Sequence, residues 1–236
     1  MFLLLSGEGA SDIGTQDDEI GPMTKFIDNW VERRSGYSLI ELNHYTIVTE
    51  TELGVVAKEI KPLSRKGKKQ PIETRYFYNN ARALAKLAKI EGSQRGVSIV
   101  PVLFRDSDNP SYRGEWADKS QSILNGFEVE EVLNGIPMIP KPKSEAWILC
   151  ALRNNYQSCE KLEHESGNDK SPNALKDQLE KYLGKQATRT LLNDQIDQGN
   201  LDIKKIVDMP SLNAFKDRLD EVLDEIFPRG PIYNGT

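Results

Sequence analysis

Short apolar runs alternate with amphipathic segments along the first two thirds of the chain. The apolar runs are too short for helices and predict buried strands, at residues 1–6, 44–50, 97–105 and 135–140. Between them, apolar residues recur every three or four positions and predict helices, at residues 22–34, 74–90, 116–125 and from Ser144 onward. This β-α order predicts an α/β fold in which a parallel sheet of about four strands is covered by helices.

The pattern changes after residue 156, where only helical periodicity continues. We therefore divide the chain into an α/β domain, residues 1–156, and a helical C-terminal extension, residues 157–236, that packs on it. The apolar start, residues 1–5, is too short for a signal peptide or a membrane span, and we expect no membrane partner.

The net charge and the few cysteines and histidines exclude several classes of function. The chain has 36 acidic and 31 basic residues and a formal net charge of −5, which argues against a non-specific coat for nucleic acid. Its two cysteines, Cys150 and Cys159, and its two histidines are too few for a disulfide framework or a Cys/His zinc cluster. A reduced, cytoplasmic location fits this usage best, with Cys150 buried and inert in its helix.

Two predicted strands end in carboxylates. Glu8 lies between two glycines after the first strand, and Asp12 follows four residues later. Asp106 and Asp108 end the third strand at a spacing that points both side chains to one side if the strand continues. Such like charges repel unless a cation lies between them, and hard divalent ions take carboxylate oxygens. The alternatives are a solvated turn at Asp106 and Asp108 and a helix cap at Asp12.

The charges near Glu8 bear on whether a basic side chain neutralises it. No basic residue adjoins Glu8 in the sequence, so we expect its charge to be unpaired. The loop that follows carries Asp17, Asp18 and Glu19, which we expect to be solvated charges and not ligands.

A third segment, KPKSEAW at residues 141–147, leaves the last predicted strand and starts a helix. In one interpretation Ser144 is the N-cap and Glu145 is a charge favoured by the helix dipole. In the other, Glu145 is a metal ligand or general base, and Lys143 or Lys141 neutralises charge on a phosphoryl transition state. The residues alone leave the two interpretations even.

A basic run between the second strand and the long helix is the only segment that suggests contact with a phosphate backbone. Its candidate contacts are Arg65, Lys66, Lys68 and Lys69. A solvated hairpin explains the same charges.

Three of these segments together resemble the Toprim family. Residues 7–12 (GEGASD) resemble its first motif, a Glu in a glycine-flanked turn, and residues 106–108 (DSD) resemble its Asp-x-Asp motif. The segment around residues 142–147 (PKSEAW) resembles the closing motif of small bacterial Toprim-like proteins related to the overcoming-lysogenisation-defect nucleases. The resemblance covers the first domain. It implies that Glu8 is a catalytic or metal-binding residue, that Asp106 and Asp108 hold Mg²⁺ or Mn²⁺, and that Asp12 joins a second ion.

The resemblance favours a metal-dependent nuclease that hydrolyses phosphodiester bonds, with DNA preferred over RNA as substrate. Such proteins often accompany a partner ATPase in antiviral defence or DNA processing, which is an analogy and not a property of these residues. The chain is too short for a topoisomerase gate. Two alternatives stay open: a non-catalytic Toprim-fold subunit that binds nucleic acid or acts as a scaffold, and a metal-dependent phosphohydrolase of small molecules. A homo-oligomer is compatible with either.

Overall fold

A computed structural model describes residues 1–60, 72–108, 115–153 and 158–228, apart from the side chains of residues 72 and 73. Its four strands form one parallel sheet in the order β2-β1-β3-β4. The strands are β1 (Phe2–Ser6), β2 (Tyr45–Val48), β3 (Ile99–Phe104) and β4 (Ile136–Met138). The predicted fold class, a parallel four-stranded sheet covered by helices, is confirmed.

Eight α-helices lie within the described residues. They are α1 (Pro22–Ser35), α2 (Glu50–Glu59), α3 (Ile72–Arg95), α4 (Trp116–Val129), α5 (Ser144–Leu152), α6 (Leu175–Leu183), α7 (Arg189–Asp197) and α8 (Pro210–Ile226). Short 3₁₀ helices lie at Cys159–His164 and Ile203–Lys205. The sequence analysis did not predict α2, whose start is nevertheless encoded locally by a reciprocal capping box between Thr49 and Glu52.

The strand side chains alternate between two apolar layers. On one face Leu3, Leu5 and Val102 pack with α1 and with the helices from α5 onward. On the other face Phe2, Leu4 and Leu103 pack with α2, α3 and α4. The sheet is therefore buried on both sides, which is why its strands read as continuous apolar runs.

The helices of the C-terminal extension share the first of these cores. Trp147 of α5 is fully buried, stacks on Phe215 of α8 with ring centroids 5.8 Å apart, and donates from its indole nitrogen to Ser211 Oγ at 2.8 Å. At the surface, Lys25 of α1 pairs with Asp197 of α7. The domain boundary proposed at residue 156 lies outside the described residues, and on either side of it the chain contributes to the same apolar layer.

The expectation of unpaired cysteines was wrong. Cys150, in the last turn of α5, is buried as predicted, but its sulfur is bonded to that of Cys159, the first residue of a 3₁₀ helix. The two residues are nine positions apart and their Cα atoms are 5.7 Å apart. One disulfide therefore ties the end of α5 to the segment that begins the C-terminal extension.

The strand order creates a topological switch point. From β1 the chain moves to one neighbour, β2, and then crosses to the opposite side of β1 to form β3. Ligands of open α/β sheets bind beyond the carboxyl ends of strands at such a point, because the connecting helices diverge there. The segments after β1 and β3 are the two that carry the predicted acids.

Among the described residues no helix is both long and apolar enough to cross a membrane.

Candidate functional site

The turn after β1 presents Glu8 at the edge of the sheet. A Cβ on Gly7 would lie 3.0 Å from side-chain atoms of Ile13 and Phe104, and Gly9 adopts a left-handed φ of +72°. Glycine therefore suits both positions flanking Glu8. The loop then folds back onto the start of α1, where the amide of Met23 donates to the Asp12 carbonyl at 2.9 Å. This brings Asp12 back to the same edge.

The chain beyond β3 stays extended beside the segment that follows β4. The amides of Arg105, Ser107 and Asp108 donate to the carbonyls of residues 138, 140 and 142 at 3.0–3.1 Å. The Asp106 side chain is part-buried, whereas about half of the Asp108 side chain is exposed. The two predicted ligands thus lie at different depths of the same edge.

Ser144 connects the two acidic segments. Its amide donates to Asp106 Oδ1 at 3.0 Å, and its hydroxyl donates to Asp12 Oδ1 at 2.5 Å. The predicted capping role was wrong, because Lys143 is the N-cap and Ser144 is the first residue of α5. The N-terminus of α5 therefore holds two carboxylates through one serine, and sequence analysis missed this function of Ser144.

Lys143 is the cation at the mouth of the site. Its ammonium group lies 2.9 Å from Asp169 Oδ1 and 3.9 Å from Asp108 Oδ1. Partial burial favours its neutral form, but the hydrogen bond to Asp169 and the charge of Asp108 raise the pKa of Lys143. Lys143 is therefore positively charged at neutral pH. Asp169, from the C-terminal extension, carries no sequence signal that marks it as part of the site.

A second cation, Arg105, corrects the expectation that Glu8 is unpaired. Its side chain is fully buried, and its Nε lies 3.8 Å from Glu8 Oε1. Nη1 donates to the Phe104 carbonyl at 2.7 Å, whereas Nε and Nη2 have no hydrogen-bond partner among the described residues. Its guanidinium carbon lies 5.9 Å from the centre of the Tyr76 ring. Arg105 is therefore a buried cation that lies next to Glu8 and has two nitrogen atoms, Nε and Nη2, without a hydrogen-bond partner among the described residues.

Burial and mutual repulsion disfavour ionisation of these acids. Burial, followed by the charges of Asp12, Glu145 and Asp108, raises the pKa of Asp106 well above its ordinary range. Burial also raises the pKa of Asp12, although Ser144 and Ser11 donate hydrogen bonds to it. Burial raises the pKa of Glu8 against the opposing charge of Arg105.

Glu145 belongs to the same electrostatic cluster. Burial is the main reason that its pKa is raised, and the charge of Asp12 adds to it. Its Oε2 atom is buried with no hydrogen-bond partner in the described part of the chain. An unsatisfied carboxylate oxygen in a buried acidic cluster is unfavourable unless a cation or donor reaches it.

We define the carboxylate cluster as Glu8, Asp12, Asp106, Asp108 and Glu145. Five acids face two cations, Arg105 and Lys143, so the donor set suits a hard divalent ion such as Mg²⁺ or Mn²⁺. Within the described residues, no three of these acids have carboxylate oxygens that all lie within 4.8 Å of one another.

The other predicted residues lie elsewhere. Asp18 pairs with Arg189 at 3.0 Å, and Glu19 accepts hydrogen bonds from Thr190 and Asn193. Both acids are exposed, as expected of solvated charges, and they also contact α7 at the surface. The basic run of Arg65, Lys66, Lys68 and Lys69 lies outside the described residues.

The raised pKa of Asp106 predicts how stability depends on pH. The folded state binds the Asp106 proton more tightly than the unfolded chain does, so this proton stabilises the fold. Its contribution to the free energy of unfolding is complete below the ordinary Asp pKa and is lost as pH rises through the pKa of Asp106 in the folded protein. Asp106→Asn keeps the acceptor for Ser144 without the charge, and without divalent ions we expect it to stabilise the protein at pH 7 by on the order of 1 kcal/mol. Urea unfolding between pH 5 and pH 8 measures this. A variant no more stable than wild type at pH 7 would contradict the prediction, and Asp17→Asn is the exposed control.

The fold and the site together define an α/β protein with a carboxylate cluster at the switch point of a parallel sheet. Comparison with family models, with curated proteins and with solved structures found no match to this chain.

Proposed function

We propose that this protein is a metal-dependent nuclease that hydrolyses phosphodiester bonds at the carboxylate cluster with Mg²⁺ or Mn²⁺. The observation that carries the proposal is the concentration of part-buried acids with raised pKa values at the carboxyl edge of β1 and β3. Keeping such acids together in their charged forms has an electrostatic cost, which a cationic ligand offsets. The resemblance of residues 7–12 and 106–108 to Toprim motifs supports the same conclusion.

The acids of the carboxylate cluster are the proposed metal ligands. Asp12, Asp106 and Asp108 would hold the metal, with Glu8 as an additional ligand. A bound divalent ion supplies an activated water and stabilises charge on the phosphoryl oxygens. Ser144 orients Asp12 and Asp106, so the ligand oxygens are directed before substrate arrives.

The two cations and Glu145 complete the proposed chemistry. Lys143, at the mouth of the site beside Asp108, offsets negative charge on the transferring phosphoryl group. Arg105 positions Glu8 from behind the cluster. Glu145 has a raised pKa and a buried oxygen with no hydrogen-bond partner among the described residues, and it accepts a proton or supplies a further ligand.

Substrate, partner and location are parts of the same proposal. DNA is the preferred substrate, with Arg65, Lys66, Lys68 and Lys69 as candidate backbone contacts. A partner ATPase in a defence or DNA-processing system would add binding surface that an acidic chain lacks. The compartment proposed is the cytoplasm, where such substrates occur.

The direct test is incubation of purified protein with plasmid DNA, linear DNA and RNA in Mg²⁺, Mn²⁺ or EDTA. We expect cleavage with either ion and none with EDTA. A phosphomonoester substrate tested in parallel separates a phosphohydrolase of small molecules from a nuclease. Absence of cleavage in every arm, with metal binding shown by calorimetry, would favour the non-catalytic alternative.

Lys143→Met tests the proposed role of this cation. If Lys143 stabilises transition-state charge, the variant should lower kcat by roughly 10²-fold, while the Mg²⁺ midpoint and the melting temperature change little. Steady-state kinetics at saturating Mg²⁺ measure this. Lys176→Met, at an exposed position on α6, is the matched control. Unchanged kcat in Lys143→Met would show that Lys143 has only a structural role.

Glu145→Gln separates a ligand from a residue that only stabilises the helix start. If Glu145 binds the ion, the Mg²⁺ concentration for half-maximal activity should rise about tenfold or more, because one charged ligand is lost. If it interacts only with the helix dipole, the variant should cost about 0.3–1 kcal/mol of stability and leave the midpoint unchanged. A metal titration of activity beside urea unfolding distinguishes the two results.

A further inference from the structure

A second cluster of potential metal ligands lies away from the sheet edge, where α5 ends. It consists of Cys150, Cys159 and Asp208, and one ligand atom of each lies within 4.8 Å of the others. Cys150 and Cys159 are buried, whereas Asp208 is half-buried in the segment just before α8. Two of the three residues are the partners of the disulfide.

Asp208 is held in place with one oxygen unused. Its Oδ2 accepts a hydrogen bond from the Cys159 amide at 2.9 Å, which fixes the carboxylate beside the sulfurs. Its Oδ1 is buried and has no hydrogen-bond partner among the residues that the structure describes. A buried carboxylate oxygen without a donor is costly, and a disulfide offers neither a proton nor a positive charge. The unused oxygen therefore points to a ligand other than the disulfide.

The chemistry of the donor set selects that ligand. Two thiolates and a carboxylate suit a borderline divalent ion of the zinc type, whose ligand atoms lie about 2.0–2.3 Å from the metal. Mg²⁺ disfavours sulfur, so this site differs in selectivity from the carboxylate cluster. We infer that, once the disulfide is reduced, Cys150, Cys159 and Asp208 bind one zinc-type divalent ion.

Binding of the metal ion and formation of the Cys150–Cys159 disulfide exclude each other, because both use the same two sulfur atoms. A dithiol reductant donates two electrons and two protons, which breaks the sulfur–sulfur bond, forms two thiols and converts the reductant to its cyclic disulfide. On binding, the two thiols release their protons to solvent and the thiolates coordinate the ion. The fourth coordination position is left for water. The disulfide joins α5 to the 3₁₀ helix at Cys159–His164, whereas the ion would join both of these to the segment before α8 through Asp208.

Cobalt is the probe that tests this inference, because thiolate–Co²⁺ coordination gives an intense near-ultraviolet charge-transfer band that carboxylates alone do not give. Protein reduced with a dithiol, then freed of reductant anaerobically, should bind one equivalent of Co²⁺ with this band. Zn²⁺ should displace the Co²⁺, and millimolar Mg²⁺ should not. Oxidised protein should show no band. Reduced protein without the band would overturn the inference.

Variants assign the three ligands. Cys159→Ser should abolish the band, and Asp208→Asn, which keeps both cysteines and the ability to form the disulfide, should weaken Co²⁺ affinity by about tenfold or more. Asp197→Asn, an exposed carboxylate on α7, is the matched control and should bind as wild type. Asp208→Asn that binds as tightly as wild type would refute the carboxylate's role even if Cys159→Ser fails to fold. Asp106→Asn should keep the band, so this result is independent of the nuclease assay.

Discussion

Glu8→Ala should reduce Mg²⁺-dependent cleavage by at least about 10²- to 10³-fold, and replacement of both Asp106 and Asp108 by alanine should abolish it. Losses of this size follow removal of one group that stabilises transition-state charge. The double variant removes both acids at the end of β3, one part-buried and one half-exposed, so neither is left to substitute for the other. Initial rates on a plasmid or linear substrate, over a range of Mg²⁺ and Mn²⁺ concentrations, measure the effect.

The control for this experiment lies in the adjacent loop. Asp17 is an exposed acid that is absent from the cluster, and Asp17→Ala should cleave at the wild-type rate. Circular dichroism and melting temperature establish that the inactive variants are folded. Since Asp106 is repelled by Asp12, Glu145 and Asp108 without metal, its removal should leave the melting temperature unchanged or raise it, whereas Glu8→Ala removes the charge that faces buried Arg105 and should lower it. Folded Glu8→Ala protein that cleaves at the wild-type rate would show that the assignment is wrong.

Phe215→Ala should destabilise the protein by about 3–5 kcal/mol. Phe215 of α8 is buried and stacks on Trp147 of α5, so truncation leaves a cavity between the C-terminal extension and the α/β domain. The neighbouring bond from Trp147 to Ser211 then borders that cavity. Urea unfolding followed by circular dichroism and by tryptophan fluorescence measures both the stability and the cooperativity.

Comparison of the two probes shows how the extension is coupled to the sheet. One coincident transition, shifted to lower urea, would mean that α8 unfolds with the sheet. Val207→Ala, at a position that is 74% exposed, should change stability by less than about 0.5 kcal/mol. A Phe215→Ala variant as stable as Val207→Ala would contradict the packing described for this core.

Local sequence patterns were sufficient to predict most of the strands and helices and to locate the acids that follow the strands. Apolar runs of strand length predicted all four strands, because a strand covered on both faces needs no polar alternation. Pro22 and Gly36, which bound α1, act through their own backbone preferences: Pro22 occupies the first turn, and Gly36 ends the helix at a φ of +81°. Glu8 after β1 and Asp106 after β3 could be marked for the same reason, since each follows a recognisable strand directly.

Tertiary structure decided which residues meet at the edge of the sheet. Arg105 read as the end of an apolar strand, yet the pairing of β1 with β3 places it against Glu8, 97 positions earlier in the chain. Ser144 fits a helix cap locally, and only the packing of α5 turns its amide and hydroxyl toward Asp106 and Asp12. The disulfide between Cys150 and Cys159 likewise depends on the path between α5 and the following 3₁₀ helix. Sequence periodicity predicts which face of a helix or strand is buried. The contacts described here depend instead on strand order and on packing between distant segments, and no local pattern encodes either of these.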